Sequence, residues 1–192
     1  MQNPRVRRST TVAFALTVTL IGLSVQLQPS PASAESKELS IKAAFVYQFA
    51  TLTKWPDSAF QGGDAPFRIG VMDDPDFAVA LSSAVSNKQL EGHPIEVELL
   101  TGTPSPGCCH VVYLPNEEAG KLPEILQLSS AGPVLTVSDA KAFVEQGGMI
   151  QLNRQGNRLH FSINRGSALQ SNLTISSRLL RLATEVIERD GS

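Results

Sequence analysis

The stretch CHVVYLPNEEAGKLPEILQLSSAGPVLTV, Cys109 to Val137, decides the fold. Cys109 to Leu114 is a short apolar run of the kind buried inside a sheet. Glu117 to Ser130 reads as a helix, with Pro123 near its first turns, where a missing N–H costs least. Val134 to Val137 is a second short apolar strand. Strands that alternate with helices favour a largely parallel sheet covered on both faces.

The same alternation extends upstream. Ser40 to Lys54 has Ile41, Ala44, Phe45, Phe49 and Leu52 near helical spacing. Trp55-Pro56 is expected to stop that helix, because the residue before proline is pushed out of the helical region. Phe67 to Met72 reads as a strand that ends in Asp73-Asp74-Pro75. Asp76 to Val85 follows as a short helix. Ile95 to Leu100 alternates apolar residues with Glu96 and Glu98, as in a half-buried strand.

Downstream, Ser138-Asp139 is placed to cap a short helix through Glu145. Ile150 and Leu152, then Leu159, Phe161 and Ile163, alternate with polar residues around Gly156-Asn157, a hairpin pattern. The terminal helix is read from Ser176 to Glu188, with Leu179, Leu180, Leu182, Ala183, Val186 and Ile187 on its apolar face. Arg181 with Glu185, and Glu185 with Arg189, would then be i,i+4 pairs. The expected fold class is α/β. It is a single domain with a largely parallel central sheet, helices on both faces and an antiparallel C-terminal hairpin at the sheet edge.

The N-terminus reads as an address. Arg5, Arg7 and Arg8 precede an apolar run from Thr11 to Leu27, and Pro29 and Pro31 then break any helix. Ala32-Ser33-Ala34 fits the small-x-small pattern of signal peptidase. Residues 1–34 are therefore expected to be a signal peptide cleaved after Ala34, leaving a 158-residue mature domain, 35–192, in the periplasm. The formal net charge is −2, and removing three arginines and no acidic residue leaves 13 basic against 18 acidic residues, a charge of −5. Such a chain has no obvious electrostatic footprint for nucleic acid.

Catalytic motifs are missing or weak. Asp73-Asp74 at a strand end resembles half of a divalent-cation site. The strand Cys109–Leu114 ends in Pro115-Asn116 and supplies no third carboxylate. Ser138-Asp139-Ala140-Lys141 matches Ser-x-x-Lys but lacks its partner motifs. His93, His110 and His160 lack metal-ligand spacing. No enzyme activity, cofactor or metal is expected. The two cysteines, Cys108 and Cys109, are adjacent, so a bridge between them would close a strained ring. Cys108 should be the more accessible, and both are candidates for redox chemistry or for linking a homodimer. A polar cluster of His160, Asn164, Ser176 and Arg178 is the candidate ligand or partner surface. Arg178 sits in a first helical turn, where a cation opposes the helix dipole. Arg178 with His160 and Asn164 would face an anionic ligand or an acidic patch on a partner, while Asn164 and Ser176 also suit caps.

Several ordered segments resemble the YfiR-like family. They are Ile41 to Phe49 ending at Lys54-Trp55-Pro56, the strand Cys109 to Leu114, and Pro133 to Asp139 followed by Phe143. Gly147-Gly148-Met149-Ile150, Phe161 to Asn164, and Leu173 to Ala183 complete the set. The resemblance implies a periplasmic regulator that binds the sensor region of an inner-membrane diguanylate cyclase and represses it. Envelope or redox signals and an outer-membrane lipoprotein partner would relieve that repression, linking them to cyclic di-GMP and biofilm formation. The alternative is a periplasmic small-ligand sensor module acting on a histidine kinase. The family often pairs its central-strand cysteine with one on the first strand. Here that strand reads Ile69-Gly70-Val71, so Cys109 has no such partner.

Overall fold

The computed structural model describes residues 31–188 apart from 61, 63, 64 and 157, with side chains from Glu35 onward. The basic and apolar parts of the expected signal lie outside the described residues. Helix α1 spans Pro31–Thr51, opening earlier and ending sooner than its apolar spacing suggests. Proline at a helix start loses only an N–H that has no partner there, so Pro31 does not break the helix. At the other end, side chains take the last carbonyls. Thr53 Oγ1 donates to Phe49 O at 2.7 Å, and Trp55 Nε1 to Ala50 O at 3.1 Å. These bonds satisfy acceptors that a helix end leaves open. Thr53–Lys54 then form a short strand, β1.

Strand β2 (Phe67–Met72) leads to α2 (Pro75–Val85), β3 (Gln89–Leu90), β4 (His93–Leu100) and β5 (Val111–Leu114). A 3-10 segment over Asn116–Lys121 precedes α3 (Leu122–Ala131), and β6 (Leu135–Ser138) follows. The hairpin is β7 (Ile150–Gln155) and β8 (Arg158–Asn164). Helix α4 (Arg165–Gln170), strand β9 (Thr174–Ile175), helix α5 (Ser177–Leu182) and strand β10 (Glu185–Ile187) complete the chain.

The main sheet has eight strands in the order β10-β8-β7-β6-β5-β2-β4-β3. From β4 to β7 its neighbours are parallel; β7 and β8 are antiparallel, with Leu152 opposite Phe161. This is the expected α/β class with its C-terminal hairpin. Strand alternation divides the core between the two faces. Phe67, Ile69, Val71, Val111, Tyr113, Leu135, Val137, Ile150 and Ile163 face α1 and α2. Met72, Val112 and Leu114 face α3 and Phe143.

Two local expectations are corrected. Ser138 ends β6, and the segment from there through Glu145 is a bend and a run of turns rather than a capped helix, with Ala142 at φ +57°, a left-handed value that interrupts a helix. Ser138 Oγ accepts from Ala140 N at 2.9 Å, and Asp139 ties distant elements together. The terminal helix also stops at Leu182. Glu185–Ile187 instead pairs parallel with Ser162–Asn164, so the hairpin is flanked by β10 and is not itself the sheet edge. Glu185 stands in β10, so its anticipated pair with Arg181 is not on a helix, while Arg189 lies outside the described residues; Glu188 binds Arg165 at 2.9 Å.

Candidate functional site

Helix α1 has more apolar surface than the sheet can cover. Ala43, Val46, Phe49 and Ala50 are buried against the core. One arc around the same helix, Ile41, Ala44 and Phe45, continued just past its end by Leu52, form a second apolar stripe at helical spacing. Phe161 of β8 supports this stripe from below. Its ring lies 5.9 Å from Phe45 and 5.0 Å from Phe49, both edge-on. Helix α5 forms the facing wall. The antiparallel pair β1–β9 and the bond from Ser176 N to Leu52 O, 3.0 Å, place its start beside the end of α1.

Between these walls lies a groove of about 390 Å³, within the range of ligand sites. Phe45, Phe49 and Phe161 make its floor, and Ile41, Leu179 and Leu182 its sides. Ile41 is 42% exposed and Leu182 62%, so the walls stand open to water. Lys37, Ser40, Gln48 and Arg178 supply the polar lining. Among the described residues, neither Lys37 nor Arg178 forms an ion pair.

The polar residues singled out from the sequence divide between different places. Arg178 lines the groove and is exposed. Ser176 caps α5, its Oγ accepting from Leu179 N at 3.3 Å. His160 and Ser162 alternate with Phe161, so they lie on the opposite sheet face, where Asn153 stands across from His160. There Gln151 Nε2 donates to Asn153 Oδ1 (2.6 Å), and Asn153 Nδ2 to Ser162 Oγ (3.0 Å). Asn164 is buried. It caps α4 by accepting from Ser167 N at 3.1 Å and donates to Val144 O at 2.9 Å. The sheet therefore separates Arg178 from His160, and Asn164 is fully engaged within the fold. Lys37, Ser40 and Gln48 were not anticipated in the site. Their signal was the width of the apolar arc on α1, which one buried face does not explain.

Both thiols are free, Cys109 buried and Cys108 partly exposed. Burial is the main cause that pushes the Cys109 thiol far up, with the adjacent Cys108 adding to it. A β-carbon built on Gly70 would stand 2.8 Å from Cys109 Sγ and collide with the end of Leu100. Position 70 is thus the close cross-strand neighbour of Cys109 and holds no sulfur. Asp73 and Asp74 have structural partners: Lys121 Nζ binds Asp73, and Asp74 accepts from Phe77 N at 2.9 Å as the cap of α2. Among the described residues, no group of three or more His, Cys, Asp or Glu side chains is placed to hold a metal ion. No described helix is long and apolar enough to cross a membrane.

Among curated proteins, none matches the chain. Among solved structures, the chain is similar to a conserved domain protein from Vibrio cholerae O1 biovar El Tor strain N16961. The TM-score is 0.53 at 15% identity, over 77% of this chain and 60% of that one. The chain thus spans about three fifths of that protein's length, and at this identity the likeness concerns the fold alone. A second similarity, to the ABC domain in complex with L-Trp from Streptococcus pneumonia, has a TM-score of 0.44 at 15% identity. It covers 62% of this chain and 56% of that one, and is too weak to bear on the site. A family model described as YfiR/HmsC-like matches residues 39–184, from α1 to the turn before β10, so that it takes in the hairpin and both walls of the groove. The chain belongs to the YfiR/HmsC-like family.

Proposed function

We propose that this protein is a periplasmic regulator that binds the sensor region of an inner-membrane diguanylate cyclase and holds the enzyme inactive. The family match over residues 39–184 carries this reading. Export is supported by the basic start, the apolar run Thr11 to Leu27 and the Ala32-Ser33-Ala34 pattern. Cleavage after Ala34 would free residues 35–192, trimming the first turn of α1 and leaving its packed part. The paired carboxylates Asp73 and Asp74 are taken up by Lys121 and by the cap of α2, which supports a binding role over a catalytic one. An outer-membrane lipoprotein, or oxidation at Cys108, is the proposed signal that relieves repression.

Deletion of the coding sequence should raise cyclic di-GMP and surface attachment, and the tagged protein should retain a cyclase from envelope extract. Unchanged cyclic di-GMP in a strain that expresses the protein would refute the cyclase target. N-terminal sequencing of the exported form should begin at Glu35; an intact Met1 would refute cleavage. A second reading is a small-ligand sensor module acting on a histidine kinase. The open groove with its two cations favours it, and a kinase retained in place of a cyclase would select it.

A further inference from the structure

We infer that the groove between α1 and α5 is a binding site for a single-chain anionic amphiphile, such as a fatty-acid carboxylate. Three observations carry the assignment. The floor is aromatic and the walls largely aliphatic, which suits a hydrocarbon. The groove follows the axis of α1. Its lining on α1 runs from Lys37 to Phe49, twelve positions apart or about 18 Å of helix axis at ~1.5 Å per residue, and Leu52 extends it just past the helix end. The groove's charged lining is wholly cationic, Lys37 and Arg178, and neither is committed to an acidic neighbour among the described residues.

The bond from Ser176 N to Leu52 O sets Arg178 toward the Leu52 end, while Lys37 belongs to the other. A chain laid along the aromatic floor would bring its carboxylate to one of these two cations. Arg178 is the better donor to a planar carboxylate, since its guanidinium can engage both oxygens. Gln48 lies on the same stripe, on the Leu52 side, and its amide can donate to the head group. Each methylene removed from water should raise affinity roughly fourfold, so affinity should climb with chain length until the groove is full. Binding at this groove does not depend on which membrane enzyme the protein regulates.

The test is calorimetric titration of the purified protein with dodecanoate below its micellar range, and with dodecyltrimethylammonium as the cationic counterpart. Dodecanoate should bind saturably with one site per chain, at least tenfold more tightly than the cationic amphiphile. Octanoate should bind more weakly than dodecanoate. Arg178→Ala should weaken dodecanoate by roughly 10-fold, in keeping with the loss of a charged hydrogen bond. Ala44→Trp, at an exposed position on the groove lining, should abolish binding while the protein still melts cooperatively. If that variant does not fold, the Lys37→Ala/Arg178→Ala pair takes its place, and retained dodecanoate affinity there overturns the assignment. Equal binding of the two head groups, or no saturable binding, also overturns it. So does an Ala44→Trp protein that keeps dodecanoate but loses a protein partner, which would make the groove a protein interface.

Discussion

His110 has both ring nitrogens engaged. Nδ1 accepts from Arg68 N at 3.0 Å, and Nε2 donates to Ala59 O at 2.9 Å. The ring is stacked on Phe67, 4.5 Å between centroids, and lies near Trp55 and Phe60. Protonation would place a second donor against the Arg68 N–H. Burial, the largest cause, holds its pKa below the ordinary histidine value, with Arg68 and His93 acting in the same direction and the bond to Ala59 opposing them. The folded chain therefore favours the neutral ring. Its contribution is whole above about pH 6.5, the unfolded value, and is lost as pH falls through the lower folded one. The melting temperature should drop on acidification across that window, and His110→Gln should flatten the drop; an unchanged slope would exclude His110 as its source. The thiols make a second prediction at this scale. Cys108 should alkylate faster than the buried Cys109 and should mediate any covalent dimer. Intact mass separates the outcomes, and a monomer lacking two protons and inert until reduced would instead establish a Cys108–Cys109 bridge.

The chain after Ser176 shows how an element's identity is settled by what it packs on. By periodicity Ser176 to Glu188 is one amphipathic helix. The ladder of β8 offers a competing partner, and the chain takes it. Thr184 N donates to Phe161 O at 2.9 Å, and Thr184 Oγ1 reaches the same carbonyl at 3.0 Å. Glu185–Ile187 then aligns with Ser162–Asn164. Strand pairing satisfies one edge of β8 that a helix would leave open, and unpaired backbone at a buried edge is costly. Thr184→Pro removes both donors and should destabilise the protein by about 1–3 kcal/mol in urea unfolding. The amide of Val186 should also lose its protection from hydrogen exchange. Unaltered stability and exchange would show that β10 contributes nothing to the sheet.

Across the whole molecule, α1 is held by contacts between residues far apart in sequence. Lys42 Nζ meets Asp139 Oδ2 at 2.6 Å, and the other oxygen of Asp139 accepts from Asn116 N at 2.8 Å. Arg154 reaches Glu38 of the same helix at 2.6 Å. Asp139 thus joins α1, the segment after β5 and the end of β6 through one carboxylate. Its side chain and that of Lys42 are only 19% and 16% exposed, so breaking the pair leaves a half-desolvated ammonium with only Glu38, 3.9 Å away, to offset its charge. Asp139→Ala should cost about 1.5–3 kcal/mol by chemical denaturation, and less when Lys42→Met is present. Additive losses in the double variant would show that the two side chains do not act together.

The α/β alternation, the parallel order of the central strands and the C-terminal hairpin were legible in the sequence. Local propensity and burial agree there: Val111 to Leu114 is apolar throughout and Leu135 to Ser138 is buried throughout, because both sheet faces are covered. The caps at Asp74, Asn164 and Ser176 follow from side chains bonding their own backbone two or three residues on, a short-range effect. The strand β10, the turns at Ala142 and the groove required the tertiary structure, because each depends on a partner distant in the chain. His160 and Arg178 are polar residues close in sequence, yet the sheet passes between them. Arg178 and Lys37 are 141 positions apart, yet they line one groove. Which side of a sheet a residue faces is set by strand alternation, but which helix end it meets there is set only by packing.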